Sequence, residues 1–419
     1  MNRIVKIAVL NLVLAGSLCL SAGPAWSEEE AGGAPGAWLS TYVNARTLGL
    51  GGAFVGAADD ASSVIWNPAG LSTLVPNEMR VDVSRLFEDT TLGAFQFAVP
   101  GSKLPSFGLS VLTLRSGEFE KTDDMNNVIG TFRESQTAYI LTMARALTPR
   151  FALGVSCKLV RQSLEDFSGG GVGFDVGAIM NVTPTIRVGA SALNLGGPSI
   201  TLRDTKETYA TQFRGGFSAS VMRGRGLITG ELDQTQNFGM TMHGGSEYWI
   251  QPAFALRVGM NDQRPSGGFS YRTGGHYQFD YGVSDHPLGM IHRIGVSYRF
   301  GGFFASAKAE PEVFSPTGEN AVTNISLGSR TKSDTDNWEL SLVNKSSQVV
   351  RKFGGKGIPP AHLMWDGKDE NGMPLPDGTY RYQLVVHDAD GREVLSPAQT
   401  VEISTGGPQG SVPVIPIQP

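Results

Sequence analysis

The sequence predicts an all-β chain: an antiparallel transmembrane β-barrel of about fourteen strands, with a short N-terminal helical plug before it and a small β-sandwich after it. Three observations predict this. Short segments of alternating apolar and polar residues follow one another from Met79 to Phe300. A Gly/Ala-rich stretch without strand periodicity precedes them. A change of character past Phe300 separates them from a second set of strands.

The first 27 residues read as a signal peptide. Arg3 and Lys6 form a basic start, Ile7 to Leu20 is an interrupted apolar run, and Ala25-Trp26-Ser27 offers small residues at the cleavage positions. The run is short of the roughly 20 apolar residues that a membrane-spanning helix needs. Leu18 before Cys19 stands where a lipoprotein would carry a small residue, which argues against that alternative. Cleavage removes Arg3 and Lys6 and no acidic residue, so the formal charge moves from −5 to −7. A mildly acidic chain has no electrostatic footprint for nucleic acid. One cysteine then remains, Cys157, so no intramolecular disulfide can form.

Residues 28–78 carry the plug. Ala45 to Ser72 reads ARTLGLGGAFVGAADDASSVIWNPAGLS, too rich in small residues for an ordinary amphipathic helix. Gly and Ala permit close backbone approach, as packing inside a narrow lumen requires. Asp59 and Asp60 fit either a lumenal arginine partner or a solvated helix terminus. Asn67 before Pro68 is pushed out of helical geometry and would steer the chain into the first strand. Asp59, Asp60, Trp66, Asn67 and Pro68 are therefore the candidate plug and gate residues.

The barrel is expected over 79–301. Phe107, Leu109 and Val111 share one face; Phe151, Leu153, Val155, Cys157 and Leu159 repeat the pattern, as do Val172, Phe174 and Val176 and, later, Tyr277, Phe279 and Tyr281. Period two means one-sided strands. The predicted strands begin near Met79, Thr91, Pro105, Glu134, Arg150, Gly171, Thr185, Thr208, Gly226, Met240, Pro252, Ser266, Gly275 and Met290. An even number puts both barrel ends on one side. The long polar connections near Ser116–Phe132 and Gly196–Glu207 suit an extracellular rim. Phe87, Phe151, Tyr248, Trp249, Phe254 and Tyr298 cluster near strand ends, as an interfacial girdle would. Gly295, Tyr298 and Phe300 in the last strand resemble the terminal signal that barrel-assembly machinery recognises.

Gly301 to Pro311 is small and reads as a linker, assigned to 302–311. Short strands at regular spacing over 312–404 predict a β-sandwich. Residues 405–419 are Pro- and Gly-rich and read as a disordered tail. The run Trp365-Asp366-Gly367-Lys368-Asp369-Glu370-Asn371-Gly372-Met373-Pro374-Leu375-Pro376-Asp377-Gly378-Thr379-Tyr380 resembles the immunoglobulin-like domain of the flagellar hook-capping family FlgD. Gly367 and Gly378 occupy positions where a calcium loop needs ligands, so turn chemistry accounts for its Asp, Asn and Gly residues.

The stretch from Ala45-Arg46 through Gly51-Gly52-Ala53-Phe54-Val55-Gly56-Ala57 and Asp59-Asp60-Ala61-Ser62 to Trp66-Asn67-Pro68-Ala69-Gly70-Leu71 resembles the N-terminal motif of the PorV/PorQ group. That group lies within the wider FadL-like outer-membrane transport barrels. The resemblance implies a plugged fourteen-stranded barrel in the cell outer membrane, without enzyme activity or cofactor. PorV-like members serve protein secretion by holding exported cargo, and FadL-like members pass hydrophobic small molecules. The leading reading is a secretion-associated barrel that binds secreted protein cargo. One alternative is a hydrophobic-solute channel. A second is an envelope anchor whose periplasmic Ig-like domain binds another component. Outer-membrane lipid is a partner in all three. No catalytic or metal site is expected: no serine sits in a nucleophile elbow, Asp285-His286 lies in a turn without an evident partner, and no Cys/His spacing suggests a metal. Phe54 occupies the third glycine position of a would-be dinucleotide loop at Gly49-Leu50-Gly51.

Overall fold

A computed structural model describes residues 35–41, 44–101, 104–222, 224–317, 321–346 and 348–405. The signal peptide falls outside these residues, as does all of the tail except Thr405. The chain divides into two units, residues 1–301 and 302–419.

Among the described residues of the first unit, fourteen antiparallel strands close into a barrel. They are β1 Asn77–Arg85, β2 Thr91–Val99, β3 Ser106–Arg115, β4 Glu134–Ala146, β5 Phe151–Leu164, β6 Phe167–Asn181, β7 Ile186–Leu195, β8 Gln212–Val221, β9 Gly226–Thr235, β10 Met240–Gln251, β11 Phe254–Asn261, β12 Arg264–Thr273, β13 Tyr277–Ser284 and β14 Ile291–Phe300. Every strand pairs with its sequence neighbours. Closure is made by β1 against β14, from Asn77 opposite Phe300 to Arg85 opposite His292. Closing the sheet leaves no edge strand with unpaired backbone groups.

The strand ends define two rims. Asn77 and Phe300 meet at one, the terminal rim. The connections 116–133 and 196–211 lie at the other and are the longest, so it is the long-loop rim. Each of those connections folds into a small hairpin, Phe119–Thr122 with Val128–Phe132 and Ser199–Leu202 with Thr205–Thr208.

The apolar rows found by period two all face outward. Phe107, Leu109, Leu153, Val155, Leu159, Val172, Phe174, Phe213, Phe217, Leu256 and Phe279 are exposed large hydrophobics. Cys157 lies in the same outward row. The inward positions are small, polar or charged around most of the barrel, with large apolar residues such as Leu92, Leu112, Ile140 and Ile179 on β2 to β6 where the plug packs. This inversion, apolar outside and polar inside, is what a lipid surround demands.

One expectation from the girdle changes. Trp249 faces inward: its Nε1 donates to Glu247 Oε1 at 3.1 Å, and the Arg272 guanidinium sits 3.7 Å from its ring centroid. Near the other rim, Phe87 stacks on His286 with centroids 4.6 Å apart. Tyr298 does face outward, against Tyr277 and Phe300. Gly295 has a local reason to lack a side chain, since a Cβ there would lie 2.3 Å from Asp82 Oδ1 and 2.6 Å from Arg80 Nη2.

The second unit is a β-sandwich. A three-stranded sheet holds Phe304–Glu310, Thr323–Arg330 and His362–Trp365. The other sheet holds Val313–Phe314, Gln399–Ile403, Gly378–Asp388, Thr335–Val343 and Val349–Lys356, with Glu393–Leu395 on Gly378–Asp388. The stretch read as a linker is therefore mostly strand. Ala305, Ala307 and Ala309 alternate into the sandwich core, and alanine rows of this size are easily mistaken for flexible sequence. Trp365 is fully buried between Phe314 and Tyr380, and its Nε1 donates to the Lys368 carbonyl at 3.1 Å. Asp369 Oδ1 accepts the amides of Asn371 and Met373, so the Asp/Asn/Gly run is a turn, as its residue types require.

In a bilayer, Val155→Arg should cost about 2–4 kcal/mol of barrel stability, whereas Val155→Leu should be nearly neutral. Heat-dependent gel mobility and denaturant titration in lipid check this; equal stability of the two variants would contradict the outward assignment.

Candidate functional site

The plug runs through the lumen from one rim toward the other. Its described part starts beside the long-loop rim: the Ala210 amide donates to the Pro35 carbonyl, and Trp38 Nε1 donates to the Tyr209 hydroxyl. The chain then enters β1 at the terminal rim. The barrel strands thus begin and end on one side, while the described plug begins at the other.

Only short helical turns occur in the described plug, Trp38–Thr41, Ala45–Gly49 and Ser63–Trp66, followed by a 3-10 turn Pro68–Thr73. Paired glycines explain part of this, because Gly51 and Gly52 both have positive φ (68° and 86°), which turns the chain after Gly49. The Asn44 side chain caps the second turn by accepting the amides of Arg46 and Thr47.

Glycines on the inner wall admit the plug backbone. A Cβ at Gly154 would lie 2.3 Å from the Pro68 carbonyl carbon. One at Gly177 would lie 2.1 Å from Asn67 Oδ1, and one at Gly189 2.2 Å from the Val55 carbonyl oxygen. Gly245, Gly259 and Gly282 make similar approaches to Leu50, Gly51 and Ala45. Asn67 is the polar counterpart of this fit. Its Nδ2 donates to the Val55 carbonyl at 2.9 Å and the Ala178 carbonyl at 3.1 Å, while its Oδ1 accepts the Ala69 amide. Asn67 therefore joins two plug turns to β6, and Pro68 starts the 3-10 turn, where its missing N–H costs nothing.

The rest of the lumen divides into a mainly apolar arc, which also holds one buried ion pair, Lys158 Nζ to Asp175 Oδ1 at 3.1 Å, and a charged arc. Leu92, Ala94, Leu112, Ala138, Ile140, Val160 and Ile179, from β2 to β6, pack in one cluster with plug residues Val64, Ile65, Leu71 and Leu74. Across from them, β8 to β14 and β1 supply charge. An alternating series begins and ends on the plug. Arg46 Nε donates to Glu247 Oε2 at 3.0 Å, and Arg257 Nε donates to the same oxygen at 2.6 Å. Arg257 Nη2 reaches Asp280 Oδ1 at 3.3 Å, and Arg80 Nη1 reaches Asp280 Oδ2 at 2.9 Å. Arg80 Nε donates to Asp82 Oδ2 at 2.7 Å, and Asp82 Oδ1 accepts the Ala45 amide at 3.1 Å. Elsewhere, Glu231 Oε2 accepts the amides of Phe54 and Val55, each at 2.7 Å. Arg214 lies 4.3 Å from the Trp66 ring centroid and pairs with Asp233.

Asp59 and Asp60 share a lumenal arginine, and it is supplied by the plug itself. Arg46, thirteen and fourteen residues earlier in the plug, binds Asp59 Oδ1 and Asp60 Oδ2 through Nη1. The wall contributes the carboxylate, Glu247. Asp60 is buried and also accepts the Ser62 amide, whereas the Asp59 side chain is 42% exposed. The solvated-terminus alternative thus fits Asp59 in part and Asp60 not at all.

Two cavities flank the plug. One of 630 Å³ opens at the terminal rim and is lined by Arg46, Ala57 and Asp59 of the plug with Arg187, Arg225, Glu247, Trp249 and Arg272 of the wall. The other, of 130 Å³, lies toward the long-loop rim and is lined by Leu48, Gly52 and Trp66 with Arg214, Asp233, His243 and His286 among others. Plug residues line both cavities and stand between them. Among the described residues, no group of three or more His, Cys, Asp or Glu could hold a metal ion.

No protein-family model and no curated protein matches the chain. Solved structures that it resembles are outer-membrane barrels. A Pseudomonas aeruginosa FadL homologue aligns with TM-score 0.47 at 11% identity over 62% of this chain and 99% of that one. The Pseudomonas putida toluene transporter TodX and the CymD monoaromatic hydrocarbon channel each align with TM-score 0.48 at 12% identity, over 62% of this chain and 98% of theirs. These similarities assign neither family nor substrate.

Arg46→Ala should leave buried Asp60 without its arginine and Glu247 with Arg257 alone, costing about 3–5 kcal/mol; Asp59→Asn, at a half-exposed site, should cost below about 1 kcal/mol. Thermal unfolding in detergent distinguishes them, and equal shifts would show that Arg46 does not fasten the plug. Gly177→Val should displace Asn67 while the barrel stays closed. The expected signs are faster proteolysis between Ala45 and Ser72 and raised ion conductance in planar bilayers, with heat-dependent gel mobility retained. Unchanged conductance and cleavage would contradict the seating described.

Proposed function

We propose that the chain is an outer-membrane transport barrel whose own N-terminal segment is its gate, and that hydrophobic small molecules are what it passes. The observation that carries this reading is the division of the lumen. The plug is tied by charge to one arc and packed by apolar contact on the other. Release of the Arg46–Glu247 link would free the plug to shift within the lumen and open a path along Leu92, Leu112, Ile140 and Ile179. An apolar solute can cross such a surface without leaving buried charges unpaired. The plug residues Asp59, Asp60, Trp66, Asn67 and Pro68 would set that gate through Arg46, Arg214 and Gly177.

The outward apolar belt supports placement in the outer membrane, and the longer connections support an extracellular long-loop rim. The terminal rim then faces the periplasm, and the C-terminal sandwich, which follows β14 in sequence, is placed there too. Its FlgD-type kinship, a periplasmic partner for it and the PorV/PorQ kinship of the barrel rest on sequence resemblance.

Uptake of radiolabelled toluene and of a long-chain fatty acid by cells expressing the chain tests the solute reading. Uptake above empty-vector cells is expected, with a further rise in Arg46→Ala if that variant remains in the membrane. Native purification with mass spectrometry provides the contrast. Recovery of a secreted polypeptide without any rise in uptake would overturn the solute reading in favour of cargo binding. Loss of function on removing 312–404, with uptake absent throughout, would favour the anchor role.

A further inference from the structure

Three wall arginines of the terminal-rim cavity differ from Arg46, which also lines it, and from arginines deeper in the lumen. Arg46, Arg80, Arg214 and Arg257 all pair with carboxylates. Arg187, Arg225 and Arg272 line the cavity and have no carboxylate partner among the described residues. Arg272 donates only from Nε, to Gln278 Oε1 at 2.7 Å, while its guanidinium lies flat enough over Trp249 to sit 3.7 Å from the ring centroid. Arg225 donates to the Trp249 carbonyl from Nε at 3.2 Å and from Nη2 at 3.1 Å, and from Nη2 also to the Ile250 carbonyl, so two arginines hold opposite parts of Trp249 while Arg225 Nη1 stays available. Arg187 Nε donates to Asn181 Oδ1 at 3.3 Å. The facing carboxylates are Asp59 and Glu247, both already engaged by Arg46. Four arginines against two carboxylates leave the cavity positive, and 630 Å³ is room for a small organic molecule.

We infer that this cavity binds a small polyanion, a di- or tricarboxylate or a phosphate, through Arg187, Arg225 and Arg272. Guanidinium forks match both oxyanion types, and a guanidinium already stacked on an indole loses little freedom on binding. The ligand would lie beside Asp59 and Glu247 and repel them, weakening the grip of both on Arg46. Occupancy at the terminal rim would thereby loosen the plug from below. Binding depends on the rim alone and not on what crosses the lumen, so a negative titration would leave the transport reading standing.

Calorimetric titration of the full-length protein in neutral detergent with citrate, and separately with inorganic phosphate, tests this. Saturable one-to-one binding is expected, weakening as salt rises. Arg272→Gln and Arg187→Gln should each weaken it about tenfold, and Arg272→Lys by less. Tryptophan emission should change on binding and cease to do so in Trp249→Phe. Heat-dependent gel mobility confirms that each variant is folded, and the wild-type titration stands if one is not. Binding of citrate alone or phosphate alone would fix the oxyanion class. Absence of saturable binding to both, or undiminished binding in the folded Arg187→Gln/Arg272→Gln double variant, would overturn the site.

Discussion

The alternating series from Arg46 through Glu247, Arg257, Asp280, Arg80 and Asp82 back to the Ala45 amide is the interaction on which the first unit depends. It joins β10, β11, β13 and β1 and so spans the strand pair that closes the barrel. It also begins and ends on the plug. Each charge in it is buried, and a buried charge is tolerated only when paired and hydrogen-bonded. Removing one member leaves its neighbours exposed to that cost, so wall and plug stabilise each other.

Such a network gives position more than net stability. Burying ion pairs costs much of what their attraction returns. What it supplies is direction: the plug can satisfy Asp82, Glu247 and Glu231 together in one orientation. Glycines at 154, 177, 189, 245, 259 and 282 enforce the same orientation by steric means. A plug fastened by charge on one side and by apolar contact on the other can part from one side at a time. Under the gating proposed, ions and ligands would act on the charged side and apolar solutes on the apolar side. That asymmetry suits a gate better than a permanent stopper.

Much of the fold was legible in the chain. All fourteen strand starts read from alternation lie within four residues of those observed, because each strand carries its lipid-facing row at period two. Two kinds of feature escaped. Phe304–Glu310 carries alanines where most strands carry large side chains, so its alternation has little amplitude. Trp249 was assigned to the girdle because an aromatic near a strand end is ambiguous until parity is fixed by its neighbours. Its parity is that of Glu247, and a register defined by the whole barrel was needed to show it.

By itself the sequence determined the class of fold, the plug, the boundary near Phe300 and the turn at Asn67-Pro68, since all of these follow from local periodicity and backbone preference. Only the tertiary structure decided which charges meet. Arg46 finds Glu247 across 201 residues, and Arg80 finds Asp280 across 200. Neither pairing leaves a local trace, because a charged residue at an inward position looks the same whatever stands opposite. Closure of the barrel sets the opposite wall, and with it the partners of the plug.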